Sequence, residues 1–347
     1  MLYSMIKPLL FKLDPEKAHH LIIKLSELHQ PKSYQHSSAT TVKIKSLTAP
    51  SPIGLAAGLD KNAQALHMWA SLGFGMMEAG TVTLKEQLGN PLPRIWRYPQ
   101  VLSLRNAMGF PNVGGEQVAL HLRNYQGDSL LGVNIGKNKD TTTADSIKEL
   151  GALIQLLHQA DYFTINVSSP NTPGLRALQE VEYLDELFSH LRSITNKPLF
   201  LKIAPDLSLK KIEELATLAS DKHLEGIVAT NTTIIESLGM GGVSGALLKE
   251  KAHTVQAALL AMNTDLTIIG VGGIANFGDV LNFWKLGGAV VQIYTALIYQ
   301  GPGIVHNINQ EILKFLQLSQ LKDLGDFFTL PLPERKEVIK DYEKRTH

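Results

Sequence analysis

The chain contains no cysteine. That excludes disulfides, thiolate metal sites, iron–sulfur clusters and a cysteine acting as nucleophile or base. It also has almost no net charge: 33 lysines and arginines stand against 32 acidic residues, for +1 at pH 7. No strong field therefore draws it to nucleic acid or any other polyanion. No apolar run reaches the roughly 18 residues that a membrane span requires. The N-terminus lacks the apolar core and small-residue cleavage site of a signal peptide. The histidines are scattered without metal-ligand spacing, so no metal site is expected. What remains is 347 residues, 44% hydrophobic, enough for one large α/β unit with an appendage.

The appendage comes first. Leu2, Met5, Ile6, Leu9, Leu10 and Leu13 fall at helical spacing on one stripe. Asp14-Pro15-Glu16 then reads as an N-cap, a proline in the first helical position and an acidic first turn. A second helix follows, with Ala18, Leu21, Ile22, Leu25 and Leu28 on one face. His19 and His20 are read as packing or cap residues. Residues 1–30 are therefore expected to form a helical hairpin, and the polar stretch 31–46 a linker. Residues 47–347 are expected to form one large domain.

In that domain eight apolar, strand-like runs recur between helical or polar segments: 53–57, 76–80, 130–135, 162–167, 199–203, 226–229, 267–271 and 289–293. Eight strands alternating with helices predict an α/β fold of the (β/α)8 TIM-barrel type. In such barrels the chemistry sits where strands end, and here the strand ends are polar or glycine-rich.

The most telling end is Ile165-Asn166-Val167-Ser168-Ser169-Pro170-Asn171-Thr172-Pro173-Gly174. It offers amides that bracket a flat substrate, and a serine without a histidine partner nearby in sequence, which argues against a hydrolytic triad. Gly270-Val271-Gly272-Gly273-Ile274 follows the seventh run, with Gly241-Gly242-Val243-Ser244-Gly245 upstream. Those glycines either make tight turns or bring backbone N–H groups close to a phosphate, and the position after strand seven favours phosphate. Lys202, flanked by apolar residues on a strand, is costly unless it meets an anion. Either it snorkels to the barrel mouth, or it faces a ring that gains negative charge, such as a reduced flavin. Lys61 is either a cation for a substrate carboxylate or the surface partner of Asp60. Asn106, Asn134, Asn166, Asn171 and Asn231 recur near strand ends, as in a site that reads amide and carbonyl edges. The stretch 106–112 looks like a loop that covers the ligand.

Taken together, these motifs resemble the dihydroorotate dehydrogenases, specifically the quinone-dependent, membrane-associated class 2. The resemblance runs from Leu10 to about residue 315. It is carried by Gly54-Leu55-Ala56-Ala57-Gly58-Leu59-Asp60-Lys61, by Asn134-Ile135-Gly136-Lys137-Asn138-Lys139 and by Asn166 to Gly174. Lys202-Ile203-Ala204-Pro205-Asp206, Ala229-Thr230-Asn231-Thr232-Thr233 and Ile269 to Ile274 add to it. The resemblance implies an FMN enzyme that oxidises (S)-dihydroorotate to orotate in pyrimidine biosynthesis, with a membrane quinone as acceptor. Carried over by position, FMN would meet Ala56, Ala57, Gly58, Lys61, Thr81, Asn134, Asn166, Lys202, Thr230, Gly245, Gly272, Gly273, Tyr294 and Thr295. Dihydroorotate would meet Lys61, Asn106, Ala107, Met108, Gly109, Phe110, Asn166, Asn171, Asn231 and Thr232. Ser169 matches the class 2 catalytic base; class 1 uses a cysteine there. One departure stands out: the class 2 pattern has arginine where this chain has Ala107, and Arg105 is the neighbouring candidate to supply the charge. The N-terminal hairpin is expected to lie on the membrane and admit the quinone, with the chain a monomer on the cytoplasmic face of a bacterial cell membrane. The alternatives are a soluble class 1-like enzyme using fumarate or NAD, and a non-catalytic phosphate-binding barrel.

Overall fold

A computed structural model describes residues 2–29, 31–171 and 178–346. Helix α1 (Leu2–Lys12) and helix α2 (Pro15–Glu27) form the N-terminal pair. The break between them is where Asp14 caps α2, its carboxylate accepting from the backbone N–H of Glu16 and Lys17 at 3.0 Å each. Residues 38–49 are more ordered than a linker. A short 3-10 turn (Ser38–Thr40) leads into an antiparallel pair, Val42–Ile44 with Leu47–Ala49. Val42, Ile44 and Ala49 are buried against the barrel floor. The alternation of Val42 and Ile44 around exposed Lys43 is the period-two signal of a half-buried strand, short enough to be lost in a polar stretch.

All eight expected strands are present and close into a parallel barrel. They are β1 (Ile53–Leu55), β2 (Met76–Val82), β3 (Leu130–Ile135), β4 (Tyr162–Asn166), β5 (Leu199–Ile203), β6 (Gly226–Ala229), β7 (Thr267–Val271) and β8 (Val290–Ile293). Each pairs with its sequence neighbours, and β8 returns to β1 through Val291 opposite Ile53. Outward side chains of the strands pack under the surrounding helices in one large core.

The inward side chains form layers, because side chains alternate along a strand. At the floor Met76, Tyr162, Phe200, Val228, Ile269 and Val290 fill the barrel with apolar volume. Two residues further along their strands the same positions are Glu78, Thr164, Lys202, Thr230, Val271 and Gln292. The interior thus turns from apolar to mainly polar in one step, and the cavity opens above that layer. A three-stranded antiparallel sheet partly roofs the mouth, with Ser103–Asn106 between Ile95–Tyr98 and Gly242–Gly245.

Candidate active site

A cavity of about 250 Å³ occupies the carboxyl-terminal mouth of the barrel. Of the site residues named from the sequence, all but Asn134 and Ala107 line it. Asn134 is fully buried one layer beneath, and Ala107 is buried within the stretch 106–112 itself.

The polar layer under the cavity centres on Glu78, which sequence reasoning did not single out. Its carboxylate accepts from Asn134 Nδ2 at 2.7 Å, Gln292 Nε2 at 2.9 Å and Thr164 Oγ1 at 3.1 Å. Glu78 is 0% exposed. A lone charge in an apolar strand needs an opposite charge, and Glu78 in Met76-Met77-Glu78-Ala79-Gly80 is such a charge just as Lys202 is. The two belong together: burial pushes the Lys202 ammonium down from its usual range, and Glu78 opposes that shift. No hydrogen bond fixes the Lys202 ammonium among the described residues, and Lys202 lines the cavity.

Lys61 meets a similar environment nearer the rim. Burial pushes its pKa down to about 8, with Glu16 pulling it up, Arg94 pushing it down and Asp60 pulling it up. Asp60 is not its surface partner. That carboxylate is 2% exposed and accepts from the N–H groups of Gln64 (2.9 Å) and Ala65 (2.8 Å) and from Trp69 Nε1 (3.0 Å). Asp60 therefore shapes the turn from which Lys61 projects.

The asparagines brace one another. Asn166 Nδ2 donates to Thr81 Oγ1 (3.0 Å) and Asn134 Oδ1 (3.1 Å), while Asn166 Oδ1 accepts from Asn231 Nδ2 (3.2 Å). Asn171 Nδ2 donates to Asn106 Oδ1 at 2.9 Å. Two oxygens in this shell, Asn171 Oδ1 and Gln292 Oε1, are buried without a hydrogen-bond partner among the described residues. Buried acceptors left open cost free energy unless a bound molecule donates to them.

Ser169 is 5% exposed and lines the cavity, its Oγ accepting from Asn171 N at 3.2 Å. Among the described residues no histidine or carboxylate hydrogen-bonds to it, so the triad reading has no geometric support. Thr172, Pro173 and Gly174 of the same strand-end motif lie outside the described residues. Ser168 points away from the cavity into the asparagine network, accepting from Asn231 Nδ2 at 3.0 Å.

On the opposite wall, Gly272 and Gly273 have φ of +126° and +74°. A Cβ at Gly273 would sit 2.4 Å from Lys249 Cβ, and one at Gly272 would sit 2.6 Å from Ala252 Cβ. Glycine is required for both conformation and space, and the bare backbone faces the cavity. Tyr294 lies beside this wall, and burial pushes its pKa to about 12, so it stays protonated at neutral pH. Arg105 does not supply the missing arginine charge. Strand alternation turns it away from Asn106, and its guanidinium stacks 3.8 Å over the Trp96 ring.

Residues 39–316 match the Dihydroorotate dehydrogenase family profile. The chain is 42% identical over 333 residues to "Dihydroorotate dehydrogenase (quinone)" of Sulfurimonas denitrificans, covering 91% of this chain and 95% of that one. The corresponding protein of Thermus thermophilus is 40% identical over 338 residues, covering 91% and 98%. Among solved structures, ligand-free DHODH from Eimeria tenella superposes with a TM-score of 0.83 at 34% identity, covering 90% of this chain and 98% of that one.

Proposed function

The chain belongs to the dihydroorotate dehydrogenase family, as a quinone-dependent member, and we propose that it oxidises (S)-dihydroorotate to orotate with FMN bound in the barrel mouth and a membrane quinone as electron acceptor. The observation that carries the reading is the convergence of Ser169, Lys61, Lys202 and four asparagines on one cavity. The residues present suit FMN. Bare backbone at Gly245, Gly272 and Gly273 leaves room for a phosphate, the open acceptor at Gln292 suits a ring N–H, and Lys202 supplies a buried cation beneath it. When bound, FMN would take a hydride from carbon 6 of the substrate and release the electrons to quinone.

The chain's own residues do the rest. The Lys61 ammonium pairs with the substrate carboxylate. Asn106, Asn166, Asn171 and Asn231, with Thr232, hold the amide edges of the ring, and Met108, Gly109 and Phe110 cover it. Such positioning is worth several kcal/mol of the barrier. Ser169 Oγ takes the proton from carbon 5 as the hydride leaves carbon 6, and the C5–C6 bond becomes double. A neutral hydroxyl is a weak base, so Ser169 hands its own hydroxyl proton to a water or to Thr172 as the carbon 5 proton arrives. Lys202 offsets the negative charge that reduction adds, and Glu78 in the layer below opposes the loss of that lysine's charge on burial. Asn134 acts indirectly, by orienting Glu78, Thr81 and Asn166.

The hairpin supports the quinone half of the reading. Met5, Leu9, Leu25 and Leu28 are 73, 65, 55 and 77% exposed, an apolar surface that suits the face of a bilayer. We place the chain there as a monomer, on the cytoplasmic face of a bacterial membrane. No described helix is long and apolar enough to cross it.

The first test is anaerobic. Dihydroorotate is expected to bleach the flavin absorbance of the purified protein, and a soluble quinone to restore it. Recovery by NAD or fumarate instead would give the soluble class 1 chemistry, and a yellow protein that never bleaches would remove dihydroorotate as substrate. A pH profile tests Lys61. The charged form predominates below its pKa of about 8. Apparent kcat/KM for flavin reduction is therefore expected to fall as pH rises through about 8, because the free enzyme loses the cation that binds the carboxylate. In Lys61→Met that alkaline limb should vanish; a limb that persists unchanged would assign it elsewhere.

A further inference from the structure

A part-buried chain of polar contacts joins the N-terminal hairpin to the loops that carry Asn106 and Asn171. It begins at Glu16 in the first turn of α2, 6% exposed. Arg94 meets it with two nitrogens. Nε lies 3.0 and 3.1 Å from the two carboxylate oxygens and Nη2 lies 2.7 Å from Oε1. The third nitrogen, Nη1, donates to the carbonyls of Leu88 (2.5 Å) and Asn90 (2.8 Å), curling this segment around the guanidinium. The Asn90 side chain is thereby set between two site loops: its Nδ2 donates to Ala107 O at 3.0 Å and to Asn171 O at 2.9 Å. The backbone adds Asn90 N to Met108 O (2.9 Å) and Ala107 N to Arg94 O (2.8 Å). There is no slack, since a Cβ at Gly109 would lie 2.7 Å from the Asn90 amide carbon.

An exposed ion pair in this position would contribute little. Here both side chains are about nine-tenths buried, at 11 and 8% exposed. A buried charge that loses its partner is strongly disfavoured, so Arg94 keeps this arrangement only while α2 is seated. We propose that Glu16, Arg94 and Asn90 are positioning residues through which the seated hairpin holds the 106–110 loop in its substrate-binding shape. Affinity for dihydroorotate then depends on the docking of the hairpin, which carries the apolar surface. The substrate named in this inference rests on the reading given above.

The experiment compares the full-length, FMN-loaded protein with Glu16→Gln and Asn90→Ala, using hydrogen exchange and anaerobic flavin bleaching. Asn90→Ala leaves the ion pair and the hairpin intact, so it reports on the last link even if Glu16→Gln loosens α2 or removes the negative charge that raises the Lys61 pKa. Both variants are expected to exchange faster across 104–110. Both should need roughly five- to tenfold more dihydroorotate for half-maximal bleaching, the equivalent of about one hydrogen bond, at unchanged FMN content and limiting rate. Exchange at 104–110 equal to that of the unchanged chain in both variants would overturn the link. So would a lower limiting rate with unchanged half-saturation, which would mean a direct effect on chemistry. Faster exchange together with no bleaching of even the unchanged chain would overturn the substrate and leave the mechanical link standing.

Discussion

Ser169→Ala is expected to slow flavin bleaching by dihydroorotate by about 10²–10⁴-fold, the usual contribution of a positioned general base, while FMN stays bound. The geometry makes this substitution clean. Among the described residues Ser169 Oγ accepts one hydrogen bond, from Asn171 N at 3.2 Å, so its loss removes little from folding, about 1 kcal/mol. The adjacent Ser168 is a built-in control. It is fully buried and bonded into the asparagine network, so Ser168→Ala should loosen the site without removing the base. Stopped-flow reduction under anaerobic conditions separates the two. A Ser169→Ala protein that is reduced at the parental rate would remove the serine from the chemistry.

The second large effect is expected in stability. Glu78→Leu should destabilise the fold by roughly 3–5 kcal/mol, because it strands a buried cation and leaves the donors of Asn134, Thr164 and Gln292 unpaired. In a chain of this size that corresponds to a fall in Tm on the order of 10 °C. The double variant Glu78→Leu with Lys202→Met should recover part of the loss, since removing both charges costs less than isolating one. Thermal unfolding of the FMN-free protein is the cleanest readout, because bound ligand would add its own stabilisation. If Glu78→Leu alone melts with the parent, the carboxylate is not what holds Lys202 in place. If the double variant melts no higher than the single one, the cost lies in the hydrogen bonds and not in the charge pair.

Both effects arise from one feature of barrels. Inward positions two residues apart on a strand belong to successive layers. Met76 and Glu78, Tyr162 and Thr164, Phe200 and Lys202, and Val290 and Gln292 each place an apolar group at the floor and a polar one above it. The floor excludes water, so each charge in the next layer is desolvated and depends on the others. Lys202 and Glu78 are then worth more to each other than exposed groups would be.

The sequence alone determined the eight strands, their order around the barrel, the hairpin with its Asp14 cap, and most of the residues that meet in the cavity. These are local signals. Periodicity, capping and polar strand ends are written in neighbouring positions, and a parallel barrel converts every strand end into a wall of the same mouth. The family motifs added the identities of cofactor and substrate. The tertiary structure decided what no local signal records. It set Glu78 in the same buried layer as Lys202, though 124 positions separate them, and it turned the Asp60 carboxylate onto Gln64, Ala65 and Trp69. It left Asn134 and Ala107 out of the cavity lining and stacked Arg105 on Trp96, so that the arginine missing at position 107 is not replaced from 105. It also brought Glu16 onto Arg94. Each of these is a pairing across sequence distance, and such pairings are set by which buried groups satisfy one another once the barrel closes. A strand or helix pattern shows that a polar residue is buried; it does not show whose hydrogen bond or charge makes that burial tolerable.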